Sequence, residues 1–225
     1  MRTDSDILKD VAAELKWEPG LRDDDIAVSV RDGVVTLAGF ADSFADKWRA
    51  ERVASRVKGV RAIANDVEVR LPSTSERPDP EIARAAVNAL EWNILVPHDR
   101  LKVTVEKGWV TLEGEVDYYY QAEEAERSVR HLTGVKGATN LITVRSQPTP
   151  SVEEVKRRIK EALQRGAEFD ADRIGVEVQG HKVLLNGTVR SYAELRDAER
   201  AARNAPGIID VENHLTVDPT VFSAV

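Results

Sequence analysis

Four histidines, His98, His131, His181 and His214, are the side chains in this chain best suited to bind a metal or move a proton near neutral pH. They occupy four different places in an internal repeat and show no ligand-type spacing. Cysteine is absent, which excludes disulfides, thiolate metal sites and cysteine nucleophiles together. No Gly-rich phosphate loop precedes a helix, there is no nucleophile elbow, and the abundant carboxylates fall mostly on solvated helix faces. The sequence therefore predicts no catalytic residue, no metal site and no cofactor: a binding protein rather than an enzyme.

The binding chemistry is concentrated in few places. The stretch VEEVKRRIKEALQRG carries Lys156, Arg157, Arg158, Lys160 and Arg165 beside an apolar stripe. Such a helix attracts anionic headgroups, each near-surface cation contributing ~1 kcal/mol. The competing reading is a solvated face whose charges pair with Glu153, Glu154 and Glu161. Lys47 and Arg49, by contrast, read as ordinary exposed helix charges. Trp109 points outward from a hairpin, and Tyr118, Tyr119 and Tyr120 stand before a helix; surface aromatics mark contact with a protein or a membrane interface, and a contact between repeats or in a dimer is favoured here over lipid. Asn65, Asn140 and Asn213 lie in phase with inward strand residues. A buried amide needs partners, so a structural bond to a neighbouring turn is expected, a ligand-facing role being the alternative.

These residues are positioned by a phrase written three times: DGVVTLAGFA from Asp32, GWVTLEGEV over 108–116 and HKVLLNGTV over 181–189. Gly39, Gly114 and Gly187 are spaced by 75 and 73 residues, and so are Gly59, Gly134 and Gly207, the three asparagines, and Leu15, Leu90 and Leu163. A period of that length signals tandem domains.

Each repeat reads in one order. An amphipathic helix comes first, with stripes Ile7, Val11, Leu15; Ile82, Val87, Leu90; and Val152, Val155, Ile159, Leu163, the last with Ser151 as N-cap and Glu154 as capping-box partner. Two alternating strands follow. Asp32-Gly33 and Lys107-Gly108 fit two-residue hairpin turns, and the third repeat reads as a longer turn over 179–182. A second helix spans about 43–58, 118–133 and 191–206 and ends at Gly59, Gly134 or Gly207 as an αL cap. A last strand closes the repeat. The fold class predicted is α+β, three tandem αββαβ units at 4–71, 79–145 and 150–218, each a three-stranded mixed sheet with two helices on one face. Gly114, Gly39 and Gly187 are read as facing those helices, where a missing Cβ admits close packing. Trp17 and Trp92, near the end of the first helix, are read as core.

Bulk properties fit. The net charge of −7 and pI near 5.3 argue against a nucleic-acid partner, while 42% apolar residues suit a globular protein. Units of about 65 residues bury only ~60% of their unfolded surface, so contacts between units should matter. Asp4, Asp6 and Asp10 interrupt any signal-peptide core, and no stretch is long enough to span a bilayer. The expectation is a cytoplasmic chain with no transmembrane segment, or a periplasmic one if an N-terminal signal has been removed.

The order helix-strand-strand-helix-strand, the strand motif GVVTLAG, GWVTLEG or KVLLNG, the Gly-Val or Gly-Ile after helix two, and the V-x-N-x-apolar pattern of the last strand together resemble the BON domain, named for bacterial osmotic-shock and nodulation proteins. The resemblance covers nearly the whole chain. It implies a non-enzymatic module of envelope proteins, with binding of anionic phospholipid surfaces and protection in osmotic or envelope stress as its role. The alternative is a protein-protein interaction scaffold or small-ligand module.

Overall fold

The computed structural model describes residues 2–145, 151–165 and 173–218. Its elements repeat as expected. The first module comprises α1 (Asp4–Trp17), β1 (Ile26–Arg31), β2 (Val34–Ala41), α2 (Phe44–Ser55) and β3 (Ala62–Val69). The second comprises α3 (Asp79–Trp92), β4 (Leu101–Glu106), β5 (Trp109–Val116), α4 (Tyr119–Arg130) and β6 (Gly137–Val144). The third comprises α5 (Val152–Arg165), β7 (Ile174–Gln179), β8 (Lys182–Val189), α6 (Tyr192–Arg203) and β9 (Asp210–Val217). Three separate three-stranded sheets result, ordered β1-β2-β3, β4-β5-β6 and β7-β8-β9. In the second sheet β4 pairs antiparallel with β5, and β5 parallel with β6; the third sheet repeats this. The α+β architecture read from the repeat is thus the observed one.

By compactness the described residues fall into two units, one from 2–38, 49–66, 151–165 and 173–218, the other from 39–48 and 67–145. The second unit has its core in Ile82, Ala86 and Leu90 of α3, Val110 and Leu112 of β5, and Ala125 and Val129 of α4. In the first unit, Val155, Ile159 and Leu163 of α5 meet Val176, Val183 and Leu185 of the sheet and Ala198 and Ala202 of α6. Small alanines on the second helix and larger aliphatics on the first let both helices lie on one sheet face.

Several expectations need correcting. The stripe of α3 runs through buried Ala86, not Val87, which is 43% exposed, and Val152 at the start of α5 is exposed too. Trp17 and Trp92 are 85% and 89% exposed. The reason is angular: each stands two residues beyond a buried leucine, and at 100° per residue that carries it to the far side of the helix. The third hairpin turn is also two residues long, since Gln179 pairs with Lys182; Gly180, with φ of 61°, holds the first central position that a type II′ turn requires of glycine. The capping box of α5 is half formed: Ser151 Oγ accepts the Glu154 N–H at 3.3 Å, but the Glu154 carboxylate is taken by Arg157 and Arg158. The second helices end near Ser55, Arg130 and Arg203, and Gly59, Gly134 and Gly207 close a further turn rather than capping the helix directly.

The central-strand glycine is needed for a different reason from the one expected. Gly114 and Gly187 have φ of 138° and 132°, and a Cβ there would meet the carbonyl oxygens of Arg100 and Arg173 at 2.2 and 2.0 Å. What approaches is the backbone where the neighbouring strand begins, not a helix.

Candidate functional site

The basic helix α5 buries Val155, Ile159 and Leu163 and exposes Lys156, Arg157, Arg158 and Lys160. Its arginines are committed: Arg157 bonds Glu154 at 2.7 Å and Glu161 at 2.6 Å, and Arg158 bonds Glu154 at 2.6 Å. Hydrogen bonds from Arg157, then Arg158, hold the Glu154 carboxyl below its usual range. Lys156 and Lys160, one helical turn apart, have no carboxylate within 4.0 Å among the described residues. The Arg165 side chain lies outside the described residues.

A pH prediction follows from these pairs. A carboxylate with a depressed folded pKa adds stability above its unfolded value, near 4.5 for Glu154, and loses it as pH falls through the lower folded value. Protection of the α5 amides relative to their intrinsic exchange should therefore be unchanged from pH 7 to about 5 and fall below ~4.5, an acid response that Glu154→Gln abolishes. A response persisting in that variant would assign it elsewhere.

Trp109 does point outward, 49% exposed, but it has structural partners on the open sheet face. Its Nε1 donates to Thr139 Oγ1 at 2.8 Å, and its ring lies on Gly137, whose added Cβ would come within 2.3 Å of the indole. Tyr118 and Tyr120 stack with centroids 5.7 Å apart and both remain over a third exposed. Lys47 and Arg49 are only half exposed, and Arg49 faces Glu18 at 3.8 Å, so they are not the free helix charges expected.

The asparagines join the last strand to the second helix rather than to a turn. Asn140 Nδ2 donates to the Ala122 carbonyl at 2.8 Å while its Oδ1 accepts the Ile142 N–H at 3.1 Å. Asn213 makes the corresponding bonds to Leu195 and Leu215, at 3.4 and 3.0 Å. Asn65 Nδ2 bonds Glu51, the residue whose repeats, Glu126 and Glu199, stand near the other two amides.

Trp92, expected in the core, opens a strongly exposed apolar stretch. Directly after α3, Trp92, Ile94 and Leu95 are 89%, 96% and 47% exposed. The turn that carries them is closely tied. The Asn93 N–H bonds the Leu90 carbonyl at 3.2 Å, its Oδ1 accepts the Leu95 N–H at 3.0 Å, and its Nδ2 reaches Ser128 Oγ on α4 at 2.9 Å. Val96 then plugs the core, 5% exposed. The result is a fixed apolar projection. The sequence signal for it was the position of Trp92 two residues past Leu90. Among the described residues no three His, Asp or Glu are grouped to hold a metal ion, and no helix is long and apolar enough to cross a membrane.

Fold and surfaces define a class: a tandem-repeat α+β protein whose candidate sites are exposed faces and projections. The chain belongs to the BON domain family, whose model matches residues 3–70, 78–146 and 151–219. It is 31% identical over 141 residues to osmotically-inducible protein Y of Escherichia coli (strain K12), spanning 61% of this chain and 70% of that one. Two solved chains of CdsD, a structural protein of the type III secretion system of Chlamydia trachomatis, align over 95% and 97% of this chain and 92% and 100% of their own. Their identities of 15% and 14% and TM-scores of 0.26 and 0.27 carry no argument.

Proposed function

We propose that this BON-repeat chain is a non-enzymatic protein that binds an anionic phospholipid surface peripherally, with a role in osmotic or envelope stress. The projection Trp92-Asn93-Ile94-Leu95 carries the reading. A convex, braced turn with an indole and two aliphatic side chains held in water has little to bury against within its own module, and an indole beside aliphatics suits the headgroup boundary. Lys156 and Lys160, exposed and without carboxylate partners among the described residues, supply the preference for negative charge. The stress role draws on the similarity to osmotically-inducible protein Y.

Flotation with phosphatidylcholine vesicles, with and without phosphatidylglycerol, tests both elements. Trp92→Ser with Ile94→Ser should weaken binding about tenfold on either lipid, the apolar contribution being insensitive to salt. Lys156→Gln with Lys160→Gln should cost about thirtyfold on anionic vesicles at low salt, and little at high salt. Lys102→Gln with Lys107→Gln, at exposed positions facing Glu113 and Glu106, is the control and should bind as wild type. If the wild-type chain stays with the unbound fraction on both vesicles, the lipid reading is wrong. The half-exposed Tyr118–Tyr120 stack then favours the scaffold reading.

A further inference from the structure

Two joints, one within each compact unit, connect equivalent positions of different modules. In the first unit, the Tyr192 N–H at the start of α6 donates to the Val60 carbonyl at 3.1 Å, and the Gly59 N–H donates to the Arg190 carbonyl at 3.4 Å. Residues 59 and 60 form the glycine turn that follows α2. In the second unit, Phe44 at the start of α2 packs on the core that includes Val129 and Val135, the residues on either side of the glycine turn following α4. One turn along α2, the ring of Trp48 lies under the Arg130 guanidinium at 4.1 Å. By the 75- and 73-residue spacing, Phe44 and Tyr192 are one repeat position, as are Gly59 and Gly134, and Val60 and Val135.

We infer that the first turn of a module's second helix is a docking element for the glycine turn after the second helix of another BON module. The chemistry fits from both sides. The end of a helix leaves backbone groups without intrahelical partners, and the residue after the glycine is deeply buried: Val60 is 0% and Val135 1% exposed. The first turn of a helix has backbone N–H groups without intrahelical acceptors, and these can bond such an end. The same two surfaces, used head to tail rather than face to face, make the interface heterologous, so its partner is another module of this kind and not a copy of the same patch. The joints differ in detail. Module three docks through backbone hydrogen bonds, and module one through Phe44 together with the cation–π contact of Trp48 with Arg130.

Hydrogen exchange of the full chain, read by mass spectrometry on peptides, tests this. Phe44→Ala with Trp48→Ala should speed exchange over 129–136 about tenfold, while α1 keeps its protection. Tyr192→Pro, which removes the donating N–H at a helix position that tolerates proline, should do the same over 57–61. Phe44→Tyr, which gives module one the residue module three uses, should retain wild-type protection over 129–136, and Tyr192→Phe should retain it over 57–61. Trp17→Ala, at an exposed aromatic of the same module as Phe44, serves as the control and should leave 129–136 unchanged. The inference is overturned if the double variant leaves 129–136 protected, if Trp17→Ala exposes it equally, or if either exchange of Phe and Tyr behaves as the disrupting variant does.

Discussion

Replacing Gly114 by alanine is expected to remove most of the stability of the second module. Two costs add. A Cβ at φ of 138° sits in a region L-residues rarely adopt, worth about 1–3 kcal/mol. The same carbon would lie 2.2 Å from the Arg100 carbonyl oxygen and 3.1 Å from Leu101 Cδ2, an overlap relieved only by moving the β4 backbone, at about another 1–3 kcal/mol or more. That backbone is not free to move. Arg100 Nη1 is bonded to Asp117 at 3.1 Å across the end of β5, Leu101 is paired with Gly114 itself, and Thr143 of β6 donates to the Gly114 carbonyl at 3.2 Å. A loss of about 4 kcal/mol compares with the ~5 kcal/mol that a module of this size commands in isolation. The check is urea unfolding followed through Trp109 and by near-UV circular dichroism. Gly187→Ala, with 2.0 Å to the Arg173 carbonyl, should do the same to the third module. Wild-type midpoints in both variants would show that these strands separate freely and that the glycine is dispensable.

The contrast between this glycine and the hairpin glycines shows what a single chain discloses. Asp32-Gly33 and Lys107-Gly108 were legible because a two-residue turn has a local signature, and all four residues adopt positive φ. Gly114 was legible as a required glycine, from three occurrences in register, but not in its reason. The approaching atom belongs to Arg100, fourteen residues earlier, and depends on how β4 leaves its preceding turn. Nor did the spacing show that the Asp79 carboxylate, at the start of α3, accepts the Lys107 and Gly108 N–H groups at 2.7 and 2.9 Å, or that Asp4 does so for the first turn. Asp4 and Asp79 stand 75 residues apart, so the register held the signal, and the third repeat has Val152 at that position.

The candidate surfaces were read less well, for a related reason. On α5 the two readings, free cations or pairing with Glu153, Glu154 and Glu161, divide by residue: Arg157 and Arg158 are paired with carboxylates three and four residues away, while Lys156 and Lys160 have no ion pair among the described residues. Tryptophan at 17 and 92 reads as core from its place near the end of the first helix, whereas the helical angle alone puts both outside. A repeated exposed aromatic is not explained by the fold of its own module, and the turn after α3 therefore offers a lipid surface more apolar contact than α5 does.

The second large effect expected is at Asn140, and it separates the structural role of the asparagine from a ligand-facing one. Asn140→Leu keeps volume but removes the amide that spans from β6 to α4. The Ile142 N–H loses its acceptor, a cost of about 1–3 kcal/mol, and the donation to Ala122 contributes about another 1 kcal/mol, for a total near 3 kcal/mol. Glu126 adds little to this, since its oxygen is 3.5 Å from Nδ2 and it already bonds Arg130 at 2.7 Å. In a double-mutant cycle Asn140 and Glu126 should therefore couple by less than ~0.5 kcal/mol. The third module supplies an internal comparison. Asn213 holds Leu215 at 3.0 Å, much as Asn140 holds Ile142, but its bond to the helix carbonyl is stretched to 3.4 Å, so Asn213→Leu should cost less than Asn140→Leu. Urea titration of both variants and of the Glu126→Gln pair decides the matter. If Asn140→Leu is as stable as wild type, the amide is not a structural tie, and its retention in all three repeats would point back to a ligand.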